Sequence, residues 1–147
     1  LGNSSVTDAG LEELGALRQL TWVDLAHCAI SDVGVRYLSP ESPLTRLNLE
    51  GTDITDAALD HIGHWSTLTE LDLSETPITD AGLAEIAKLR NLKVLWLTGT
   101  EVTDAGLRQL TGLKHLETLD ISHTKVTPQA WERLQKDLPQ LNTAAQN

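Results

Sequence analysis

Asp120, Ser122 and His123 stand within four residues of one another, and Asp24 with His27 repeats part of the pattern. A carboxylate, a hydroxyl and an imidazole are the ingredients of nucleophilic chemistry, in which a base takes the hydroxyl proton and an acid orients the base. Asp60, His61 and His64 suggest a second chemistry. Histidines three apart share one side of a helix and can hold a metal together with a carboxylate. Neither set is complete. The first lies in alternating sequence with no evident pocket and no donors for an oxyanion, and the second lacks the further ligands of a full metal site. The chain has no glycine-rich phosphate loop and no zinc-type cysteine pair. The sequence therefore assigns no catalytic residue, no metal ligand and no cofactor.

The elements that carry these residues recur at a fixed interval. Thr7-Asp8, Ser31-Asp32, Thr55-Asp56, Thr79-Asp80 and Thr103-Asp104 are spaced by 24 residues, and Thr127 follows with proline in place of aspartate. A constant period of that length marks a repeat array. Within each unit the hydroxyl residue opens a helix, since its side chain accepts a bond from a free amide of the first turn, and the aspartate complements the positive end of the dipole. Leu11, Leu14 and Leu17 follow at helical spacing. Leu20, Val23 and Leu25 then switch to the alternation of a short strand buried on one side. Leu44, Leu47 and Leu49 repeat it, as do Leu68, Leu71 and Leu73, then Leu92, Leu95 and Leu97, then Leu116, Leu119 and Ile121.

Five strands and six helical stretches result, in one domain spanning residues 1–147, with residues 1–5 as a lead-in and 142–147 as a polar tail. Ser39-Pro40-Glu41-Ser42-Pro43 interrupts the second helical stretch and predicts a short helix followed by a rigid loop. Gly10, Gly82 and Gly106 fall where a helical turn presses on its neighbour, and Ala58 and Ala130 at the same place indicate a demand for smallness rather than for a special dihedral. A single repeat cannot offset the entropy of ordering its own backbone, so the units must share their apolar faces.

Leu71-Asp-Leu-Ser-Glu-Thr-Pro-Ile-Thr-Asp-Ala-Gly-Leu83 and its variants resemble the leucine-rich repeat. The closer resemblance is to the cysteine-containing and ribonuclease-inhibitor-like branches, with Thr-Asp-Ala-Gly-Leu repeats as in some bacterial leucine-rich repeat proteins and F-box-associated receptors. It implies an α/β fold: a right-handed solenoid with a parallel sheet on the concave face and short helices on the convex face. Where that family places asparagine or cysteine after the strand, this chain has Cys28, Thr52, Thr76, Thr100 and Thr124. A threonine ladder can satisfy some of the same buried backbone groups, and Cys28 in that register reads as a structural thiol.

Composition narrows the partner. The formal net charge is −10, which argues against nucleic acid and against an electrostatic grip on anionic membranes, and favours a basic partner. One cysteine permits no internal disulfide and leans toward a reducing, cytoplasmic compartment. No run of sequence approaches the length of a membrane span.

The resemblance places the residues between the strand leucines on the concave face. One column reads Trp22, Arg46, Glu70, Val94, Thr118, and the next Asp24, Asn48, Asp72, Trp96, Asp120. Ala26, Glu50, Ser74, Thr98 and Ser122 follow, then His27, Gly51, Glu75, Gly99 and His123. Six carboxylates stand in these columns against one arginine, whereas Arg18, Arg36, Lys88, Arg90, Arg108, Lys114, Arg133 and Lys136 belong to the helical side. Trp65 and Trp131 occupy leucine positions and belong to the core, but Trp22 and Trp96 project from the sheet, where an indole is a typical binding anchor. Three strand spacings separate them by roughly 14 Å, the reach of a peptide segment or a helix face.

These features point to a non-catalytic module that binds a protein or peptide through Trp22, Asp24, Arg46, Asn48, Glu70, Asp72, Trp96, Asp120 and His123, as a monomer or with weak end-to-end association. The alternative is a structural segment of a longer repeat protein with no concave ligand of its own.

Overall fold

The period of 24 residues becomes a stack of strand, turn and helix. A computed structural model of the chain describes residues 1–14 and 18–143. Six short strands, β1 (Trp22–Asp24), β2 (Arg46–Asn48), β3 (Glu70–Asp72), β4 (Val94–Trp96), β5 (Thr118–Asp120) and β6 (Asn142–Thr143), form one parallel sheet in sequence order. The register equals the period, so Leu47 lies beside Leu71, Leu71 beside Leu95 and Leu95 beside Leu119. The helices α1 (Asp8–Leu14), α2 (Asp32–Val35), α3 (Asp56–Ile62), α4 (Asp80–Ile86), α5 (Asp104–Leu107) and α6 (Pro128–Asp137) form the other layer, with a 3-10 turn, Arg108–Gly112, extending α5. This is the α/β solenoid that the repeat pattern implied.

Between the layers the leucines close into one continuous core. Leu71, Leu73, Leu95 and Leu97 are inaccessible to solvent, as are Leu59, Ile62, Leu83 and Ile86 on the helical side. Trp65 is fully buried and Trp131 nearly so, in the positions expected for them. Leu17, which the helical spacing also assigned to the core, lies outside the described residues. The proline-bearing stretch behaves as its composition predicts: α2 is four residues long, and the loop after it is held by the Trp65 indole, whose Nε1 donates to the Ser39 carbonyl at 2.9 Å.

From the second unit on, the hydroxyl residue caps its helix: Ser31, Thr55, Thr79 and Thr103 each accept from the amide two residues on, and Thr127 from the amide three on. The aspartate does more than complement a dipole. Asp56 reaches forward 23 residues, where Oδ1 accepts from the Thr79 amide at 2.9 Å and Oδ2 from the Thr79 hydroxyl at 2.6 Å. Asp8 holds Ser31, Asp32 holds Thr55, Asp80 holds Thr103 and Asp104 holds Thr127 in the same two-bond manner. Each carboxylate thus orients the capping hydroxyl of the next repeat. The small residues make room for it: a Cβ on Gly34, Gly82 or Gly106 would meet the carboxylate of Asp8, Asp56 or Asp80.

The post-strand threonines are satisfied within their own repeats rather than across to the next. Thr52, Thr76, Thr100 and Thr124 donate to the carbonyls of Leu49, Leu73, Leu97 and Ile121 at 2.5 to 2.7 Å. Cys28 is buried in that register, and its thiol donates to the Leu1 and Ala26 carbonyls.

Within residues 1–5, Asn3 donates to the Ala26 carbonyl at 2.6 Å, and the Ser4 hydroxyl lies against the Cys28 sulfur. At the other end Asn142 and Thr143 form β6 in register with Thr118 and Leu119, so the array continues beyond the fifth strand. The long α6 shifts Leu138 and Leu141 along the chain, yet both still reach the core. Residues 144–147 of the expected polar tail lie outside the described residues.

Candidate functional site

Three-residue strands make the open face two columns wide. Trp22, Arg46, Glu70, Val94 and Thr118 are register partners along one column, and Asp24, Asn48, Asp72, Trp96 and Asp120 along the other. The third column turns inward, with Ala26 and Ser74 buried. His27, Gly51, Glu75, Gly99 and His123 form a corner in the left-handed region, with φ between 54° and 70°. Non-glycine residues are uncommon there, which is why glycine alternates with longer side chains in this column. His123 is exposed on that corner rather than on the strand face.

Six of the nine proposed binding residues converge on one shallow depression of about 160 Å³: Trp22, Arg46, Asn48, Glu70, Asp72 and Trp96. Asp24, Asp120 and His123 do not line it. Trp22 is 57% exposed, but one ring face is occupied, because the Arg46 guanidinium carbon sits 4.6 Å from the ring centroid. A cation over an indole face is attracted by the ring quadrupole. The first column therefore presents a stacked Trp22–Arg46 pair rather than a bare anchor, and the half-buried Trp96 stands across from it.

The carboxylates of the second column serve the backbone as well as the surface. Oδ1 of Asp24, Asp72 and Asp120 accepts from the amides of Ala26, Ser74 and Ser122, and Asn48 does the same for Glu50. These Asx turns end the strands. Asn48 shows that the turn needs an acceptor and not a charge. Asp72 nevertheless carries one, and burial raises its pKa above the ordinary carboxylate value, against the lowering effect of the Ser74 bonds and with further raising by Asp120 and Asp24. Glu70, beside it on β3, makes no side-chain hydrogen bond or ion pair among the described residues. The depression thus holds two carboxylates with no ion-pair partner.

The groups considered for catalysis and metal binding have other contacts. His61 Nε2 lies 2.9 Å from the Leu38 carbonyl and its ring meets Trp65 edge-on, while His64 Nδ1 lies 2.8 Å from the Asp60 carbonyl. Among the described residues no three His, Cys, Asp or Glu side chains gather as metal ligands. His27 packs over Gly51 and lies 3.9 Å from Glu50, not against Asp24. No helix among the described residues is long and apolar enough to cross a membrane.

With the stacked strands, capped helices and shared core in place, family comparison decides the assignment. The leucine-rich repeat family model matches residues 17–39, 42–62, 65–87 and 112–130, more than half of the chain. The chain is a leucine-rich repeat protein. Among solved structures it is similar to a leucine-rich repeat protein of Leptospira interrogans, at 27% identity and a TM-score of 0.67 over 91% of this chain and 33% of that one. It is also similar to internalin C2 of Listeria monocytogenes, at 25% identity and a TM-score of 0.64 over 97% of this chain and 67% of that one. The leucine-rich repeat chain therefore spans about a third of the first relative and two thirds of the second. No curated protein matches it. Leucine-rich repeat proteins generally mediate protein–protein interaction and are typically non-enzymatic.

Sequence reasoning found the two columns but missed the Trp22–Arg46 stack and the Asx turns. The period aligns residues along a column without showing which neighbours touch, although Asp or Asn at one position followed two residues later by a turn is a signal for the second.

Asp72 gives a pH prediction. Its raised folded value means that the stabilisation held by the protonated form is present below the ordinary value of 3.8 and is lost as pH rises through the folded value. Asp72→Asn keeps the Ser74 bond and removes the charge. It is expected to raise Tm at neutral pH by about 2 °C, an advantage that shrinks as pH falls through the folded value and is gone below the ordinary value of 3.8. Thermal melts of both chains across that range check it, and a lower Tm for the variant at pH 7 would show that the carboxylate stabilises the fold. Asp104 behaves in the opposite sense: bonds from Thr127 lower its pKa, so its contribution is present at neutral pH and lost as acid protonates it.

Proposed function

We propose that this leucine-rich repeat chain is a non-catalytic module that binds a basic segment of a protein or peptide on its concave sheet face. The observation that supports the reading is the depression itself, in which Glu70 and Asp72 make no ion pair and outnumber the one cation, Arg46, which is stacked on Trp22. Asp72 is desolvated at a place where asparagine would close the same turn, so the fold does not demand its charge. A partner's ammonium or guanidinium group would supply the missing counter-charge, with its aliphatic stem against Trp96. Asp24 and Asp120 extend the acidic field along the same column, and His123 borders it. Cys28 in the threonine register supports placing the chain with the cysteine-containing, ribonuclease-inhibitor-like branch.

A lysine- and arginine-rich peptide titrated against the chain, followed by indole emission at two ionic strengths, tests the reading. Trp96→Ala is expected to weaken binding about tenfold or more. Asp72→Asn is expected to weaken it several-fold and to reduce the salt dependence. Equal affinity for the parent chain and Trp96→Ala would remove Trp96 from the site. Affinity that is also unchanged by Asp72→Asn would move binding off this face.

A further inference from the structure

Among β2 to β5, Trp96 is the one aromatic residue on the open face. Its register partners are Asp72 on β3 and Asp120 on β5. With neighbouring strands about 4.8 Å apart, a carboxylate stands on each side of the ring. Asp120 is near enough to act on Asp72 across it. Glu70 lies two residues before Asp72 on the same face, about 6.6 Å along the strand. The indole itself is uncommitted. Whereas Trp65 donates its Nε1 hydrogen to the Ser39 carbonyl, the Trp96 indole makes no hydrogen bond among the described residues, and no cation or aromatic ring of theirs lies over it.

The same depression shows how this surface treats a guanidinium. Arg46 has Glu70 as its register partner, yet it forms no ion pair among the described residues and lies 4.6 Å from the Trp22 ring centroid instead. An exposed ion pair is worth little, whereas the stack gains from the ring quadrupole and covers apolar surface. Trp96 offers a second indole, and here acceptors stand beside the ring. A guanidinium lying flat on a ring keeps its N–H groups in its own plane, free to bond sideways, and it is weakly hydrated. An ammonium is a strongly hydrated point charge, which must shed water to touch either the ring or the carboxylates. The partial burial of Asp72, which raises its pKa, sharpens that difference, because water is already scarce beside it. Asp72 accepts from Ser74, but a carboxylate has about four acceptor sites, so capacity remains. The Glu70 carboxylate accepts nothing among the described residues.

We propose that the concave site selects arginine over lysine: the guanidinium of a partner's arginine lies flat on Trp96 and donates to Asp72 and Glu70. The choice of cation rests on the reading of this face as the site of a basic segment, and adds to it the side chain that is read. Arg46, held on Trp22, leaves both carboxylates to the incoming group.

Two peptides of equal length and charge, one with arginine and one with lysine at every basic position, separate the two claims by calorimetry on the full chain at one ionic strength. The arginine peptide is expected to bind about five- to tenfold more tightly. Dimethylating its arginines, which keeps the charge and blocks the paired bonds, should remove most of that advantage. Trp96→Leu should bring the two peptides within about twofold of each other, and Trp96→Phe, which keeps an aromatic face, should retain part of the preference. Equal binding of both peptides by the parent chain would overturn the arginine assignment and leave the basic-partner reading standing. So would a preference that survives Trp96→Leu, since it would then belong to the acidic field at large. Binding of neither peptide would remove both.

Discussion

Trp65→Ala is expected to destabilise the chain by about 3 to 5 kcal/mol, the range for emptying a large aromatic site in a core. Trp65 is the largest of the fully buried side chains. Its removal would do three things at once. The core beside α3 would lose its indole, the Ser39 carbonyl would lose the donor that holds the proline-bearing loop, and the His61 ring would lose its edge-on partner. For a chain of this size the loss corresponds to a fall in Tm on the order of 10 °C. Trp65→Phe separates the causes, because it keeps most of the apolar area and removes only the hydrogen bond and part of the volume; about 1 to 2 kcal/mol is expected. Trp22→Ala is the contrast, since a ring that is 57% exposed should change stability by less than about 1 kcal/mol. Urea titration of the three variants measures all of this. A cost for Trp65→Ala below that of Trp22→Ala would place the two tryptophans the wrong way round.

The second large effect concerns the aspartate ladder. Asp80→Ala is expected to cost about 2 to 3 kcal/mol, because Asp80 accepts from both the Thr103 amide at 2.8 Å and the Thr103 hydroxyl at 2.6 Å, and bonds to a charged acceptor exceed neutral ones. The hydroxyl in turn accepts from the Ala105 amide at 3.2 Å. One carboxylate therefore fixes the position of the next repeat and the cap of its helix. Asp80→Asn retains one acceptor and should lose about half as much. If the three groups act as a chain, Thr103→Ala made in the Asp80→Ala background will cost much less than it does alone, with a coupling of about 1 kcal/mol or more. Simple additivity, with Asp80→Ala costing under about 0.5 kcal/mol, would reduce the ladder to solvated surface contacts.

This ladder also marks a limit of reading along the chain. Thr79-Asp80 looks like a local device, with the hydroxyl capping and the carboxylate facing a dipole, and the hydroxyl does cap. The carboxylate instead bonds Thr103, 23 residues away, because stacking brings the next repeat within its reach. Gly82 and Gly106 were legible as sites needing a small residue, but the object they leave room for, a carboxylate of the preceding repeat, was not. Asp24, Asp72 and Asp120 read as surface charge and turn out to close turns as well.

The sequence alone determined the period, the alternation of strand and helix, the leucine core and the two surface columns. Those follow from spacing, and spacing is a property of the chain. Tertiary structure decided which column neighbours touch: Arg46 leans onto Trp22 rather than pairing with Glu70, so two carboxylates beside Trp96 are left without an ion-pair partner. It also decided that Asn142 and Thr143 pair with β5, since they are polar and only the backbone ladder identifies them. The physical reason is the same in each case. Periodicity fixes which residues share a face, whereas side-chain torsions and the packing of adjacent repeats fix which of them meet.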